Sequence, residues 1–330
     1  MTNNLTLAKA AKNSITNPPT PATNVAGLDP VWLLLQDKRS PATRRAYKSD
    51  LVDFFGEDPA PEVVRVFVGQ APPLIAQRLV LYREGMRSRT PALAPATINR
   101  RLAAVRSLLK MSYRLGLSQT DGRNLVDGEK SKAYRDTRGT DLDNLKRLLA
   151  LPDRTTLRGK RDYALLRLLC DNALRRAEVC ALNVGDFWPQ EKRLAIMGKG
   201  RTEKELVTLH PSSAAAVAEY VLAAGTLGGE KGAPLFLTCD PRPQFAGARL
   251  GDTGLYDIIR TYGAKIGLKL TPHKLRHSSI TAALDKTGGD VRRVQKLSRH
   301  VKLETLVRYD DNRSDLQGEI TMLLGDLLEG

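Results

Sequence analysis

Apolar side chains recur at the 3.6-residue spacing of an α-helix along most of this chain. The clearest case is segment 95–115, which a glycine follows and in which one stripe of the predicted helix is apolar. That stripe consists of Ile98, Leu102, Val105 and Leu109. Strand-like runs are confined to 193–197 and 204–208, on either side of a basic loop that contains glycine. The sequence therefore predicts a mainly α-helical protein with one small β-hairpin or sheet.

The predicted domain organisation follows from length and local composition. A chain of 330 residues is long enough for two domains, each with its own core, without disulfides or a structural metal. We expect a flexible tail, a small helical domain, a polar linker, a larger domain and an apolar C-terminal helix. In that order these segments are 1–27, 28–120, 121–139, 140–314 and 315–330.

Capping signals and periodicity locate the individual helices. Ser40 with Pro41 starts one helix, and a second covers about 73–85. Thr140 with Asp143 is similar to an N-cap pair and opens the larger domain. A short helix carries Glu178 and Leu182. Further helices are predicted at 158–172, 211–223, 253–265, 272–285 and 290–298.

The charge of the chain points to a polyanionic partner. The formal net charge is +16 and the sequence pI is about 9.9, so nucleic acid is the leading candidate, although a basic protein without such a partner is the open alternative. Two helices of the first domain carry basic stripes, which are either a DNA-facing surface or solvated faces. Arg45 and Arg100 are the candidates for base contacts. The predicted DNA-binding residues are Arg44, Arg45, Lys48, Arg100, Arg101 and Arg106.

Several other classes of protein are disfavoured. The sequence has no apolar run long enough to span a bilayer and no signal-peptide core, so we expect a cytoplasmic, nucleoid-associated protein with no membrane partner. Cys170, Cys180 and Cys239 lack metal-ligand spacing. Nucleotide-binding, zinc-protease and acidic metal-site motifs are not found, so we predict no cofactor and no metal.

Six residues, taken in chain order, would suffice to cleave a phosphodiester without a metal. Fixed arginines would stabilise the charge that develops on the phosphate oxygens, a lysine would protonate the leaving 5′ oxygen, and a tyrosine would form a covalent phosphotyrosine. Pro272 places His273 near the positive end of a helix, on the same face as Arg276. The six are Arg175 in NALRRAE, Lys199 in GKGRTEK, His273 and Arg276 in HKLRH, His300 in LSRH, and Tyr309.

Each of these residues also has a simpler interpretation. An arginine and a glutamate three residues apart on a helix, such as Arg175 and Glu178, commonly form an ion pair. A lysine in a hairpin loop ordinarily faces solvent. A single histidine is more often part of a satisfied core, and Tyr309 alone would be a half-buried tyrosine. It is their order and combination that favour phosphodiester chemistry.

These motifs resemble those of the tyrosine recombinase (phage integrase) family, in its Xer-like and simple integrase branch, over about residues 28–315. The resemblance puts the first catalytic arginine on Arg175 with Glu178 as its acidic partner. It puts the catalytic lysine on Lys199, the HxxR pair on His273 and Arg276, and the last histidine and nucleophile on His300 and Tyr309. The chain departs from the family pattern where Arg299 and Ala173 replace the usual glycines and Asn172 a common threonine.

The resemblance implies a fold and a reaction. A helical, SAM-like core-binding domain and a catalytic domain would form a C-shaped clamp on double-stranded DNA. Four subunits, monomeric or dimeric when free, would exchange strands between short inverted-repeat sites through a Holliday junction, with accessory proteins as further partners. The C-terminal helix would dock into a neighbouring subunit or, alternatively, pack on its own domain. No separate arm-binding domain is expected.

Two other functions remain open at this stage. The first is a DNA-binding regulator that has lost its chemistry, against which stand the six filled catalytic positions. The second is a type IB topoisomerase, which uses a similar residue set but needs neither a tetramer nor a specific site. The apolar C-terminal segment and the basic helical domain favour the recombinase.

Overall fold

The computed structural model describes residues 27–130, 139–226, 229–240, 242–245, 247–300, 303–304, 306 and 316–329. The chain divides into two compact units, Met1–Ala133 and Tyr134–Gly330. Helices dominate both units, and the described residues contain one three-stranded sheet. The mainly α-helical fold with a small sheet that the sequence predicts is therefore confirmed. The predicted tail over 1–27 lies, except for Gly27, outside the described residues.

The first unit consists of helices that all begin with a proline. Proline suits the first helical position because the amide hydrogen it lacks would have no partner there. The helices are α1 (Pro30–Asp37), α2 (Pro41–Phe55), α3 (Pro61–Val68), α4 (Pro72–Arg87) and α5 (Pro95–Arg114). Sequence periodicity alone did not separate α1 and α3, because each has only eight residues. The predicted apolar stripe of α5 is buried in the core of this unit.

Part of the predicted linker packs against the first unit. Val126 is buried in the unit's core, and the amide of Asn99 on α5 donates to the carbonyl of Glu129 at 2.9 Å. The residues up to 130 thus extend the first unit, because one apolar side chain and a side-chain amide hold an otherwise polar segment. Residues 131–138 lie outside the described part of the chain. The domain boundaries set from sequence stay a prediction.

In the second unit, further helices and the sheet surround one buried helix, α7. Its helices are α6 (Leu142–Leu149), α7 (Leu157–Asp171), α8 (Arg176–Cys180), α9 (Pro211–Ala223), α10 (Asp252–Lys265), α11 (Pro272–Lys286), α12 (Val291–Ser298) and a C-terminal helix (Leu316–Glu329). The strands are β1 (Phe187–Trp188), β2 (Arg193–Met197) and β3 (Lys204–Thr208).

The sheet is antiparallel in the order β1-β2-β3. Strands β2 and β3 have the predicted bounds and pair from Arg193 with Thr208 to Met197 with Lys204. Strand β1 has only two residues, too few to show an alternating pattern, and the sequence did not predict it. The sheet buries Leu194 and Ile196 against the main core, which fixes the turn between β2 and β3 relative to this unit.

Two predicted helix limits are wrong. Helix α6 begins at Leu142 with Asp141 as its N-cap, not Thr140, because the Asp141 carboxylate accepts from the amide of Asn144 at 2.7 Å. Helix α8 ends at Cys180, so Leu182 lies beyond it and packs in the core from the following turn.

Helix α11 joins two apolar clusters and so has a fixed orientation. Leu275 contributes to the main core, whereas Ile280 and Leu284 belong to a second cluster with Ala173 and Val294. The first turn of α11 is thereby held beside the start of α8 and the end of α12. Among the described residues, no helix combines the length and apolar character needed to cross a membrane.

Candidate active site

Arg175 and Glu178 form a tight unit at the start of α8. Arg175 is the N-cap residue, and its backbone amide donates to Oε2 of Glu178 at 2.8 Å. Its guanidinium Nη1 donates to the other carboxylate oxygen, Oε1, at 2.6 Å. The ion pair that the sequence suggests is therefore present. Nη2 of Arg175 also approaches the carbonyl of Arg299 at 3.4 Å, and the side chain keeps 27% of its surface exposed toward a ligand.

Glu178 is the buried anion of the site, with only 2% of its side chain exposed. Burial raises the pKa of its carboxyl, but the amide of Arg175 and the guanidinium groups of Arg299 and Arg175 outweigh burial and lower the pKa below its ordinary value. The carboxylate is thus charged at neutral pH. It binds the guanidinium groups of both Arg175 and Arg299.

Arg276 reaches the site from the first turns of α11. Its side chain is 3% exposed and donates to the carbonyl oxygens of Ala173 and Ser298. Its Nη2 also lies 3.4 Å from Nε2 of His300. The residue therefore connects the turn before α8 with the end of α12, two segments more than 100 residues apart in sequence.

His300 follows the end of α12 and is surrounded by cations. Burial lowers its pKa, and the positive charges of Arg276, Arg175 and Arg299 add to this effect, which brings the pKa to about 4. The imidazole is neutral at physiological pH. Because a guanidinium only donates hydrogen bonds, the Nε2 atom that faces Arg276 accepts and the proton sits on Nδ1 in this arrangement.

These side chains border an open cleft of about 430 Å³. His273, exposed in the first turn of α11, contributes to the wall. The positive end of the helix and the arginines make the cleft a site for an anion such as phosphate. The lining residues are Arg175, Arg176, Ala177, Asp252, Tyr256, Thr271, Pro272, His273 and Arg276. The structure thus brings together four of the predicted catalytic residues. Three of them line the cleft, and the fourth, His300, contacts Arg276 behind it.

Comparison with known proteins identifies the family. The model of the Phage integrase family matches residues 139–315, more than half of the chain. A tyrosine recombinase of Synechocystis sp. is 44% identical over 313 residues, which are 92% of this chain and 98% of the relative. The chain belongs to the phage integrase family of tyrosine recombinases. Its function is accordingly site-specific DNA recombination.

Other relatives agree with this membership. A tyrosine recombinase of Synechococcus elongatus is 44% identical over 91% of this chain and 94% of the relative. The tyrosine recombinase XerC of Pelotomaculum thermopropionicum is 31% identical over 84% of this chain and 90% of the relative. The predicted Xer-like resemblance is confirmed.

Solved structures share the fold of this recombinase. A XerH site-specific recombinase bound to a palindromic difH substrate covers 86% of this chain and 80% of its own, with a TM-score of 0.61 and 18% identity. A lambda integrase dimer bound to a COC′ core site covers 86% of this chain and 76% of its own, with a TM-score of 0.60 and 13% identity.

The remaining two predicted catalytic residues differ in what the structure says of them. Lys199 is exposed in the turn between β2 and β3, where Gly200 has φ +77°. Its side chain makes no ion pair or hydrogen bond with another described residue of the recombinase. Tyr309 lies outside the described residues. The roles of both stay predictions.

Arg299 is the site residue whose role the sequence did not suggest. It stands between α12 and His300, its side chain is 6% exposed, and its Nη2 donates to Oε2 of Glu178 at 3.0 Å. The only sequence signal was the presence of a large basic residue where the family usually has glycine. That signal indicates an unusual loop but does not identify Glu178 as the partner.

The predicted DNA-binding residues of the first unit fall into two groups. Arg45 is exposed on α2, and Arg100 on α5 keeps 46% of its side chain exposed while it bonds to the buried Asp50. Arg101, 16% exposed, is bound to Asp53. The others also make contacts within this unit: Arg44 to the carbonyl of Lys38, Lys48 to Asp58, and Arg106 to the carbonyl of Val126. Arg45 and Lys48, whose side chain is 55% exposed, are thus the most available to DNA, and Arg100 is held by the buried Asp50.

Proposed function

We propose that this recombinase cleaves and rejoins DNA through a covalent 3′-phosphotyrosine on Tyr309 and exchanges strands between short inverted-repeat sites by way of a Holliday junction. The observation that supports this is the convergence of Arg175, Arg276 and His273 on one basic cleft, with His300 bound behind it. The cleft has the charge and the donors to hold a scissile phosphate. The nucleoid is the expected place of action.

The proposed cleavage step assigns one task to each group. The phenolic oxygen of Tyr309 attacks the phosphorus, and the bond from phosphorus to the 5′ oxygen breaks. Arg175 and Arg276 stabilise the charge on the non-bridging oxygens. His273 accepts the tyrosine proton, and Lys199 donates a proton to the leaving 5′ oxygen. The step conserves the phosphodiester energy, so the reverse reaction with a new 5′ hydroxyl rejoins the strand without ATP.

The neutral imidazole of His300 has a positioning role in this scheme. It fills the space beside Arg276 without adding a charge that would repel the guanidinium. Arg276 also donates to the carbonyl of Ser298, so the two chain segments and the imidazole together restrict its side chain to one direction. A restricted guanidinium loses less entropy when it binds phosphate in the transition state.

We also propose that four subunits assemble on two DNA sites, with accessory proteins as further partners. The C-terminal helix supports this assembly because several of its apolar side chains are more than half exposed in the single chain. These are Met322, Leu323, Leu324, Leu327 and Leu328. A second subunit would cover such a face and gain the free energy of apolar burial.

Covalent trapping on DNA tests the proposed function. The purified protein is incubated with fragmented genomic and plasmid DNA, covalent complexes are isolated under denaturing conditions, and the attached ends are sequenced. We expect adducts at one short inverted repeat, and none with Tyr309→Phe, which should still bind DNA. Adducts that persist in Tyr309→Phe would refute the nucleophile. Adducts without sequence preference would indicate a topoisomerase, and DNA binding without adducts would indicate a regulator.

A further inference from the structure

The backbone at Arg299 has a conformation that glycine favours. Its φ is 55° and its ψ is 36°, in the left-handed region, where the Cβ of any other L residue crowds the backbone. Arg299 is the C-cap of α12, and its amide donates to the carbonyl of Gln295 at 2.7 Å. The chain keeps this conformation with one of the largest side chains, which implies that the side chain compensates for the unfavourable backbone.

The side chain of Arg299 is directed into the protein. One end of the guanidinium, Nη1, donates to the carbonyl of Leu297 at 2.7 Å and to that of Asn172 at 3.3 Å. The other, Nη2, binds Glu178 at 3.0 Å. Arginine keeps its charge in proteins, so this is a buried ion pair with carbonyl acceptors around it. It ties the end of α12 to the segment that leads into α8.

The same segments carry groups of the active site. Glu178 also holds the amide and the guanidinium of Arg175, and Nη2 of Arg175 approaches the carbonyl of Arg299 at 3.4 Å. The neighbouring residue, His300, contacts Arg276. A displacement of Arg299 would therefore move both the acid that orients Arg175 and the backbone that carries His300.

We propose that Arg299 is a positioning residue of the active site, whose buried side chain fixes the backbone of His300 against the Glu178 carboxylate that orients Arg175. The proposal rests on the proposed cleavage reaction for its effect on rate. Its structural content, the tether itself, does not depend on that reaction.

The tether has an electrostatic consequence at His300. Burial is the main reason for the low pKa of this imidazole, and Arg276 on α11, Arg175 before α8 and Arg299 itself lower it further, as does the nearby His273. The carboxylates of Glu178 and of Glu205 on β3 act on the Arg299 guanidinium. Removal of the Arg299 charge should therefore raise the pKa of His300 from about 4 toward its ordinary value.

The decisive variant is Arg299→Gly, because glycine fits the left-handed backbone and lacks the tether. If the arginine were merely tolerated, glycine would cleave DNA as well as wild type. The substrate is a nicked duplex that carries the inverted repeat identified by covalent trapping. On it we expect the first-order cleavage rate to fall about 10–100-fold, with DNA affinity unchanged. Lys192→Gly is the matched control: Lys192 also has a left-handed φ, of 52°, and lies in the exposed turn before β2. Its cleavage rate should equal that of wild type.

A conservative variant separates position from charge. Arg299→Lys keeps the positive charge but loses the planar fork that reaches Glu178 and the carbonyls together. We expect it to keep the low pKa of His300 and to cleave at a rate between those of wild type and Arg299→Gly. A wild-type cleavage rate in Arg299→Lys would overturn the positioning role, and so would a wild-type rate in Arg299→Gly.

A readout that needs no DNA keeps this inference separate from the proposed function. The chain has only four histidines, so the imidazole signals in a carbon-13 NMR titration can be assigned by substitution. In Arg299→Gly we expect the His300 midpoint to move upward, because the positive charge of Arg299 is lost. Unchanged His300 ring chemical shifts in Arg299→Gly would overturn the tether even if the protein cleaves no DNA. If the midpoint shifts in Arg299→Gly but the wild-type protein itself cleaves no DNA, only the proposed function is refuted.

Discussion

Loss of the Glu178 charge should destabilise the second unit strongly, although the substitution Glu178→Gln changes little in size. The carboxylate is 2% exposed and binds the guanidinium of Arg299, which is 6% exposed. Glutamine keeps an acceptor for the amide of Arg175 but leaves the Arg299 cation buried without a counter-charge. The folded state then carries the desolvation cost of that charge alone.

The expected loss follows from the burial of both partners. Breaking a buried pair by changing one partner typically costs about 3–5 kcal/mol, and we expect about 3 kcal/mol because carbonyl oxygens still accept from Arg299. For a unit of this size that corresponds to a fall in Tm of about 6–12 °C. The pair with Arg175 adds little, since that side chain is 27% exposed and can turn toward solvent.

The effect also has a defined pH dependence. The pKa of Glu178 is lowered in the folded state, so its charge stabilises the fold above the ordinary carboxyl pKa of 4.5, and this stabilisation is lost as pH falls through the folded-state value. The difference in free energy of unfolding between wild type and Glu178→Gln should therefore be constant near neutral pH. It should shrink in acid.

Tryptophan fluorescence can isolate the relevant unit. The chain has two tryptophans, Trp32 on α1 and Trp188 on β1, so a Trp32→Phe background reports on the second unit alone. Urea unfolding in that background compares Glu178→Gln with Glu219→Gln. Glu219 pairs with Arg154 and Lys160 at the surface of the same unit, is 31% exposed, and should cost less than about 1 kcal/mol.

A double-mutant cycle with Arg299→Gln tests the reason for the loss. If the buried pair is the cause, the two substitutions together should cost less than their sum by at least about 1 kcal/mol. Costs that add, or a loss in Glu178→Gln no larger than in Glu219→Gln, would refute the reasoning.

Two further predictions concern DNA and assembly. Arg45→Ala should weaken DNA binding by about 1–3 kcal/mol if Arg45 contacts a base, without changing stability, whereas Arg101→Ala should lower the stability of the first unit because Arg101 binds Asp53. DNA titrations and thermal unfolding of both variants check this, and equal effects on DNA binding would contradict it. Deletion of 315–330 should leave cleavage of a nicked site intact and abolish tetramers on DNA. Mass photometry on site DNA checks this, and unchanged tetramers would contradict it.

Periodicity predicted the elements that bury one continuous face. Helix α5 and strands β2 and β3 lie where their apolar patterns place them, because burial of those faces is what stabilises each element. Strand β1 was missed because two residues carry no period. The N-cap of α6 was misplaced by one residue because Thr140 and Asp141 are both good caps, and only the geometry selects the carboxylate.

The proposed catalytic motifs were recognisable because their chemistry restricts residue type. Only arginine provides a permanently charged planar fork, so Arg175 and Arg276 stood out in NALRRAE and HKLRH. Sequence spacing did not show that Arg276 would be buried and bonded to the carbonyls of Ala173 and Ser298. Those contacts depend on how α8, α11 and α12 pack, which is a property of the tertiary structure.

The two departures from the family's glycines are linked by the same geometry. Ala173 and Arg299 both have left-handed backbones, with φ of 46° and 55°, so both turns adopt the conformation that glycine adopts most easily without a glycine. Each such position costs about 1–2 kcal/mol. Ala173 offsets this by burial among Ile280, Leu284 and Val294, and Arg299 by its pair with Glu178. Strained turns persist only where contacts with the surrounding structure fix their backbone. In this recombinase, Glu178 and the arginines that would bind the phosphate make these contacts. The stability of the two turns and the orientation of the proposed catalytic groups therefore depend on the same contacts.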